Sequence, residues 1–217
     1  MARLAKLTRP SPAAAYPRER LFGLLKVRLD SAPVVWISGP PGSGKTTLVA
    51  DYVARRQLQC LWYQLDRGDD DIASFFHYLT ESVLPWVGDA PLPQFQPEFL
   101  GDLEAFARNY FREVFRRLDK PLLVLDNHHE VYTSGPLNSV LQQALGELPD
   151  DGALVVLSRN DPPAVFAGLR ARGKLETLGW SELRLTLEEC AGVASVRGVA
   201  LPEESLHALY ALSLIHI

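Results

Sequence analysis

The sequence predicts an α/β fold: a parallel five-stranded sheet covered by helices on both faces, with the start of an α-helical subdomain behind it. Three observations predict it. Four short apolar runs, at 34–37, 60–65, 122–125 and 154–157, are continuous rather than alternating, as strands buried on both faces are. Segments of helical period separate them, the pattern of βαβ units. The first run leads straight into Gly39-Pro40-Pro41-Gly42-Ser43-Gly44-Lys45-Thr46, a glycine-rich turn that opens a helix, which places the fold among the P-loop NTPases.

Taken in order, residues 1–16 carry prolines and an alanine run without period and read as an extended N-terminal arm. From Pro17 a helix is expected, since proline suits a first turn and Leu21, Leu24, Leu25 and Leu29 recur at helical spacing. The strand at 34–37 and the glycine turn precede a helix whose stripe is Leu48, Val49, Tyr52 and Val53. The strand at 60–65 ends in the acidic segment Asp66 to Asp71, read as a solvated turn before the next helix, with Phe75, Phe76, Leu79 and Val83 inside. Pro85, Pro91, Pro93 and Pro97 impose a loop, and Leu103, Phe106, Tyr110, Val114 and Leu118 mark an amphipathic helix. A helix over 137–147 joins the third and fourth runs; the fifth strand receives no range. Residues 17–183 thus read as the NTPase domain and 184–211 as the beginning of a helical subdomain. Thr186 and Glu189 have capping-box spacing, with a helix to about Val196 and another after Pro202. Residues 212–217, Leu-Ser-Leu-Ile-His-Ile, match a translated sequencing adapter and read as a non-native tail on a truncated gene product.

Composition bounds the function. A chain of 217 residues allows one domain, or one with the start of a second, and 47% hydrophobic with 22% charged residues is that of a globular protein. The net charge of −4 and pI near 5.7 argue against a broad basic surface, so no direct DNA binding by this fragment is expected. The basic residues gather at the front, Arg3 to Arg28 against Glu19 alone, which matches a transit peptide in composition; cytoplasm is the preferred reading. Cys60 and Cys190 fit a reducing compartment, and no apolar run approaches the ~18 residues a membrane helix needs.

The chemistry follows from the turn. Gly39, Pro40, Gly42, Ser43, Gly44, Lys45, Thr46 and Thr47 form GxxxxGK[ST] and the residue after it. Backbone N–H groups converge on phosphates, Lys45 reaches the β- and γ-phosphates, and the Thr46 hydroxyl is placed on Mg²⁺. Asp126, closing the run Leu122-Leu123-Val124-Leu125, supplies the second metal ligand, held through water. The expected cofactors are ATP or ADP with Mg²⁺. Asn127 follows, where many P-loop ATPases carry an acid; it can bond a water but cannot take its proton. Lys45, Asp126 and Asn127 are therefore the positions assigned to catalysis, with Glu130 a less favoured substitute. Arg159, past the fourth run, either senses the γ-phosphate or anchors its loop. His128 and His129 have no metal-ligand spacing and read as loop residues.

The ordered series resembles the STAND-class (ASCE-type) ATPase domain of MalT-type, large ATP-binding LuxR-family transcriptional regulators. It comprises Lys6-Leu7-Thr8-Arg9-Pro10, Arg18-Glu19-Arg20-Leu21, Ile37-Ser38-Gly39-Pro40, Trp62-Tyr63-Gln64-Leu65-Asp66, Leu123-Val124-Leu125-Asp126, Val155-Val156-Leu157-Ser158-Arg159-Asn160, and Leu183-Arg184-Leu185-Thr186 with Glu189. The resemblance implies a switch: ADP holds a closed monomer, ATP with an inducer permits homo-oligomerisation, and a C-terminal helix-turn-helix activates transcription. It implies that Arg18 and Glu19 contact the nucleotide base and close the site. The family usually has a second aspartate where Asn127 stands, which implies slow or absent hydrolysis, and its winged-helix, superhelical and DNA-binding regions are missing here. The alternative class is an enzyme, a small-molecule or nucleotide kinase or an actively hydrolysing ATPase. Asp66 would suit a kinase's acceptor site, but residues 127–150 contain no Arg or Lys for a lid over the phosphates.

Overall fold

In the computed structural model, which describes residues 4–12, 15–88, 91–132, 135–199 and 201–215, five parallel strands form one sheet. They are β1 (Val34–Ser38), β2 (Leu61–Gln64), β3 (Leu122–Asp126), β4 (Ala153–Ser158) and β5 (Leu175–Leu178), in the order β2-β3-β4-β1-β5. Val155 of β4 stands opposite Val35 on one side and Val124 on the other. The strand leading into the glycine loop and the strand ending in Asp126 are therefore separated by β4, the arrangement expected of this NTPase type and not of the kinase-like branch.

Alternation along β1 explains why its run is apolar throughout. Val34 and Trp36 face the core shared with α3 (Ile72–Val87), α4 (Leu103–Phe115) and α5 (Pro136–Glu147), where Phe75, Phe76, Phe106 and Tyr110 pack edge to face. Val35 and Ile37 face the opposite core, closed by Leu21 and Leu25 of α1 (Glu19–Ser31) and Val49 and Val53 of α2 (Lys45–Arg55). Each inward side chain leaves water, at about 25 cal/mol per Å² of apolar surface. The unassigned fifth strand is an edge: Leu175 and Leu178 are buried, Glu176 and Thr177 only half so, and no apolar run marks it. Around it lie α6 (Ala167–Ala171) and α7 (Trp180–Leu183), and beyond them α8 (Leu187–Val196) and α9 (Glu203–Ile215).

Three expectations are corrected. The arm over 1–16 is not wholly extended: Ala5–Leu7 make one turn of 3-10 helix, because Leu7 is buried against the sheet core and Lys6 has partners to reach. Those partners lie in the supposedly solvated acidic turn. Asp69 is fully buried, taking Lys6 Nζ at 2.8 Å and the Tyr63 hydroxyl at 2.6 Å, while Asp71 caps α3 through Ser74 N at 3.1 Å. The first helix starts at Glu19 rather than Pro17, since Arg18 stands outside helical geometry at φ −92° and ψ 72°. Of the tail at 212–217, the backbone is helical to Ile215, and 216–217 lie outside the described residues.

Candidate nucleotide site

The loops after β1, β3 and β4 meet at the C-terminal edge of the sheet, where open α/β sheets bind ligands. Gly42 (φ +77°) and Gly44 (φ +83°) take left-handed conformations that cost an L side chain energy. Gly44 also begins α2 with no capping side chain among the described residues, which leaves the positive end of the helix dipole to face an anion. Lys45 folds back across the loop: its Nζ donates to Gly39 O at 2.6 Å, Pro40 O at 2.9 Å and Ser43 Oγ at 3.1 Å. Burial lowers its pKa, the Asp126 charge opposes that, and the Arg159 charge adds to it.

Beneath the loop the Thr46 hydroxyl donates to the Asp126 carboxylate, with Oγ1 at 3.0 Å from Oδ2 and 3.2 Å from Oδ1. Asp126 is 2% exposed, and burial raises its pKa against the hydrogen bonds from Thr46 and from Asn127 N at 2.9 Å. Its hydrogen-bond partners among the described residues are neutral groups, and the Lys45 charge acts on it without a hydrogen bond. A hydroxyl beside a carboxylate is an all-oxygen donor pair of the kind Mg²⁺ takes. The residues fit that ion.

Asn127 is left-handed (φ +63°), a conformation asparagine tolerates better than most residues. It turns the chain so that His128 points into the core and Glu130 back towards β4. His128 stacks edge-on to Trp36, with Nε2 3.0 Å from Asn138 Oδ1, and burial pushes its pKa down to about 4. It is a neutral core residue rather than a loop ornament. Glu130 Oε1 lies 3.3 Å from His129 Nε2 and 4.0 Å from Arg159 Nη2. Arg159 is half exposed at the end of β4, near enough to Lys45 to influence its ionisation.

A cavity of about 360 Å³ adjoins the loop. Gly42, Ser43, Gly44 and Thr47 form its polar end; Phe22, Trp180 and Val193 contribute apolar walls. Tyr16 also lines it, and its ring presses so closely on Gly192 of α8 that a Cβ there would meet it at 2.0 Å. Of the two residues the resemblance assigned to the base, Arg18 lines this cavity and Glu19 does not; Glu19 is exposed at the start of α1. The Arg18 guanidinium is turned to the helical segment: Nη2 donates to Leu183 O at 2.8 Å, Arg184 O at 3.0 Å and Glu189 Oε2 at 2.9 Å. Arg20 Nη2 joins the same carboxylate oxygen at 3.1 Å. Burial works against ionisation of Glu189, but the hydrogen bonds from Arg18, Arg20 and Thr186 N outweigh it and hold its pKa below the usual value. Glu189 was legible only as the last member of a capping box, which is present (Glu189 N to Thr186 Oγ1 3.1 Å); its role as an anchor for two arginines has no local sequence signal.

Among the described residues no helix is long and apolar enough to cross a membrane, and no group of three or more His, Cys, Asp and Glu could hold a metal. No family model matches the chain. It is similar to proteins named HTH-type transcriptional regulator MalT. Identity is 31% over 192 residues for that of Cronobacter sakazakii and 30% over 192 residues for that of Vibrio cholerae, each match covering 85% of this chain and 21% of the relative. The chain therefore spans about a fifth of the length of these curated relatives. The family resemblance expected from the ordered motifs is borne out at that level. Among solved structures, domain III of the Thermotoga maritima replication initiation protein DnaA aligns with a TM-score of 0.48 at 17% identity, covering 92% of this chain and 79% of that one. Cdc6p from Pyrobaculum aerophilum aligns at 0.47 and 16%, covering 96% and 56%.

Proposed function

We propose that this chain is the nucleotide-binding switch domain of a MalT-like, LuxR-family transcriptional activator of the STAND class. It binds ATP or ADP with Mg²⁺, hydrolyses ATP slowly or not at all, and self-associates according to the nucleotide bound. The observation that carries this reading is the Thr46–Asp126 contact beneath the N-terminus of α2, on a sheet in which β4 separates β1 from β3. Thr46 and Asp126 would hold Mg²⁺, which would screen the phosphate charge. Lys45, released from Gly39 O and Pro40 O, would exchange those carbonyls for phosphate oxygens, and Gly39 to Thr47 would wrap the phosphates. Arg159 would sense the terminal phosphate or anchor its loop, and its charge effect on Lys45 supports a place near the phosphates. Similarity to regulators over 85% of the chain supports the regulatory reading, with the inducer, DNA binding and cytoplasmic setting belonging to the whole protein.

The Arg18–Glu189–Arg20 node supports the closed state of such a switch. It ties Arg18, just before α1, and Arg20 in the first turn of α1 to Glu189 near the start of α8, beside the cavity that Arg18 lines. We assign 17–183 to the NTPase domain and 184–211 to the start of the helical subdomain on the same ground. Against the kinase alternative, the Asp66 carboxylate already accepts from Lys6 Nζ at 2.8 Å and Gly68 N at 2.8 Å. The test is single-turnover phosphate release at saturating MgATP, with sugars, nucleosides and amino alcohols offered, and sedimentation in ATP and in ADP. A larger species in ATP alone with little phosphate released supports the switch. Stoichiometric transfer of phosphate to any acceptor overturns it.

A further inference from the structure

Three buried polar atoms on residues lining the cavity, Arg18 Nε, Asp51 Oδ2 and Trp180 Nε1, have no hydrogen-bond partner among the described residues, and of these only the Asp51 oxygen is an acceptor. Asp51 lies on α2 one turn beyond Thr47, on the face that lines the cavity with Thr47 and Leu48. Its side chain is 8% exposed. Oδ1 accepts from Arg55 Nε at 2.8 Å, whereas Oδ2 is sealed from solvent with no hydrogen-bond partner among the described residues. A buried acceptor without a donor costs stability, and a carboxylate kept in that condition marks a place for a ligand's donor. The Nε1–H of Trp180, which lines the same cavity, is likewise buried without an acceptor among the described residues.

Position says which part of a nucleotide meets them. With the phosphates at Gly42 to Thr47, a residue four places further along a helix lies about 6 Å beyond, past the phosphates and at the nucleoside. An ionised carboxylate only accepts and repels phosphate oxygens, so its partner is a neutral donor. Resting on the nucleotide-binding reading above, we infer that Asp51 is a specificity-determining residue, its Oδ2 accepting a hydrogen bond from the nucleoside. The donor is the 6-amino group of adenine or a ribose hydroxyl. In the first case the Trp180 N–H serves a ring nitrogen of the same base, and a 6-oxo purine, which offers an acceptor there, is disfavoured.

The experiment is calorimetric titration of the whole chain with the Mg²⁺ complexes of ATP, purine-riboside triphosphate (which lacks the 6-amino group), and 2′-deoxy- and 3′-deoxyATP, repeated on Asp51→Asn. Wild type is expected to bind one analogue about ten- to a hundredfold more weakly than ATP, the effect of a hydrogen bond to a charged group. In Asp51→Asn that ratio is expected to fall towards one, which a merely structural role for Asp51 would not produce. A loss confined to the purine analogue places the donor on the base, and one confined to a deoxy analogue places it on the ribose. Analogues all binding wild type within about twofold of ATP overturn the inference whether or not the variant folds. An unchanged ratio in Asp51→Asn does so too. If the analogues bind equally and Lys45→Ala still weakens all of them, only this inference falls; if ATP does not bind at all, the reading beneath it falls as well.

Discussion

Replacing Glu189 by Gln tests the latch between the NTPase core and the helical segment. The substitution keeps shape and one acceptor but removes the charge that two guanidiniums share through Oε2, at 2.9 Å for Arg18 and 3.1 Å for Arg20. The Arg18 contact is buried on both sides, and a hydrogen bond to a charged group in such a place contributes about 1.5–3 kcal/mol. Arg20 is more than a third exposed, which limits its share to about 0–1 kcal/mol. The expected loss is about 1.5–4 kcal/mol, or about 3–16 °C in Tm at about 2–4 °C per kcal/mol for a chain of this size. The pH dependence has a definite sign. The Glu189 pKa is held below its ordinary value of 4.5 in the folded chain, so its stabilisation is present above 4.5 and is lost as the pH falls through the folded value. Urea denaturation of both proteins at about pH 7 and about pH 3.5 should show the difference shrinking at the lower pH. A difference below about 0.5 kcal/mol at neutral pH, or one that does not shrink on acidification, refutes the latch.

Asn127→Asp restores an acid next to Asp126 in a backbone conformation aspartate also tolerates; single-turnover ATP hydrolysis should rise about 10²–10⁴-fold, and an unchanged or lower rate means Asn127 does not stand in for a catalytic acid. Lys6→Met leaves the fully buried Asp69 without its cation, which should cost about 3–5 kcal/mol in urea denaturation; a loss under about 1 kcal/mol would show that Tyr63 alone satisfies that carboxylate.

How far the fold could be read from the sequence depended on burial. β1, β3 and β4 lie inside the sheet with both faces covered, so Val34 to Ile37, Leu122 to Leu125 and Leu154 to Leu157 are unbroken apolar runs that announce themselves. β5 is an edge strand whose Glu176 reaches Arg28 at 2.9 Å, and a strand that is half solvated has no such run. The phosphate loop was legible because its glycines and Lys45 are contiguous. Thr46 and Asp126, eighty residues apart, could be joined only through the sheet order, which then put them 3.0 Å from each other. The remaining parts of the site are long-range pairings with no local pattern: Lys6 to Asp69, Arg18 to Glu189, and Tyr16 against Gly192. The acidic segment at 66–71 misled because four aspartates within six residues look solvated, while Lys6, which pairs with two of them, lies some sixty residues earlier. Asp51 was hidden for a related reason. On a helix stripe it passes for the polar face, and only the cavity beside it reveals that one oxygen lacks a partner.

Calorimetry of MgATP with wild type and Lys45→Ala measures most directly whether the loop at 39–47 binds a nucleoside triphosphate with Mg²⁺. On the proposal that it does, Lys45 would make one charge-assisted contact to phosphate, so the variant should bind about ten- to a hundredfold more weakly, and omission of Mg²⁺ should weaken wild type. Equal affinity of the two proteins for MgATP, or binding by neither, would contradict the assignment.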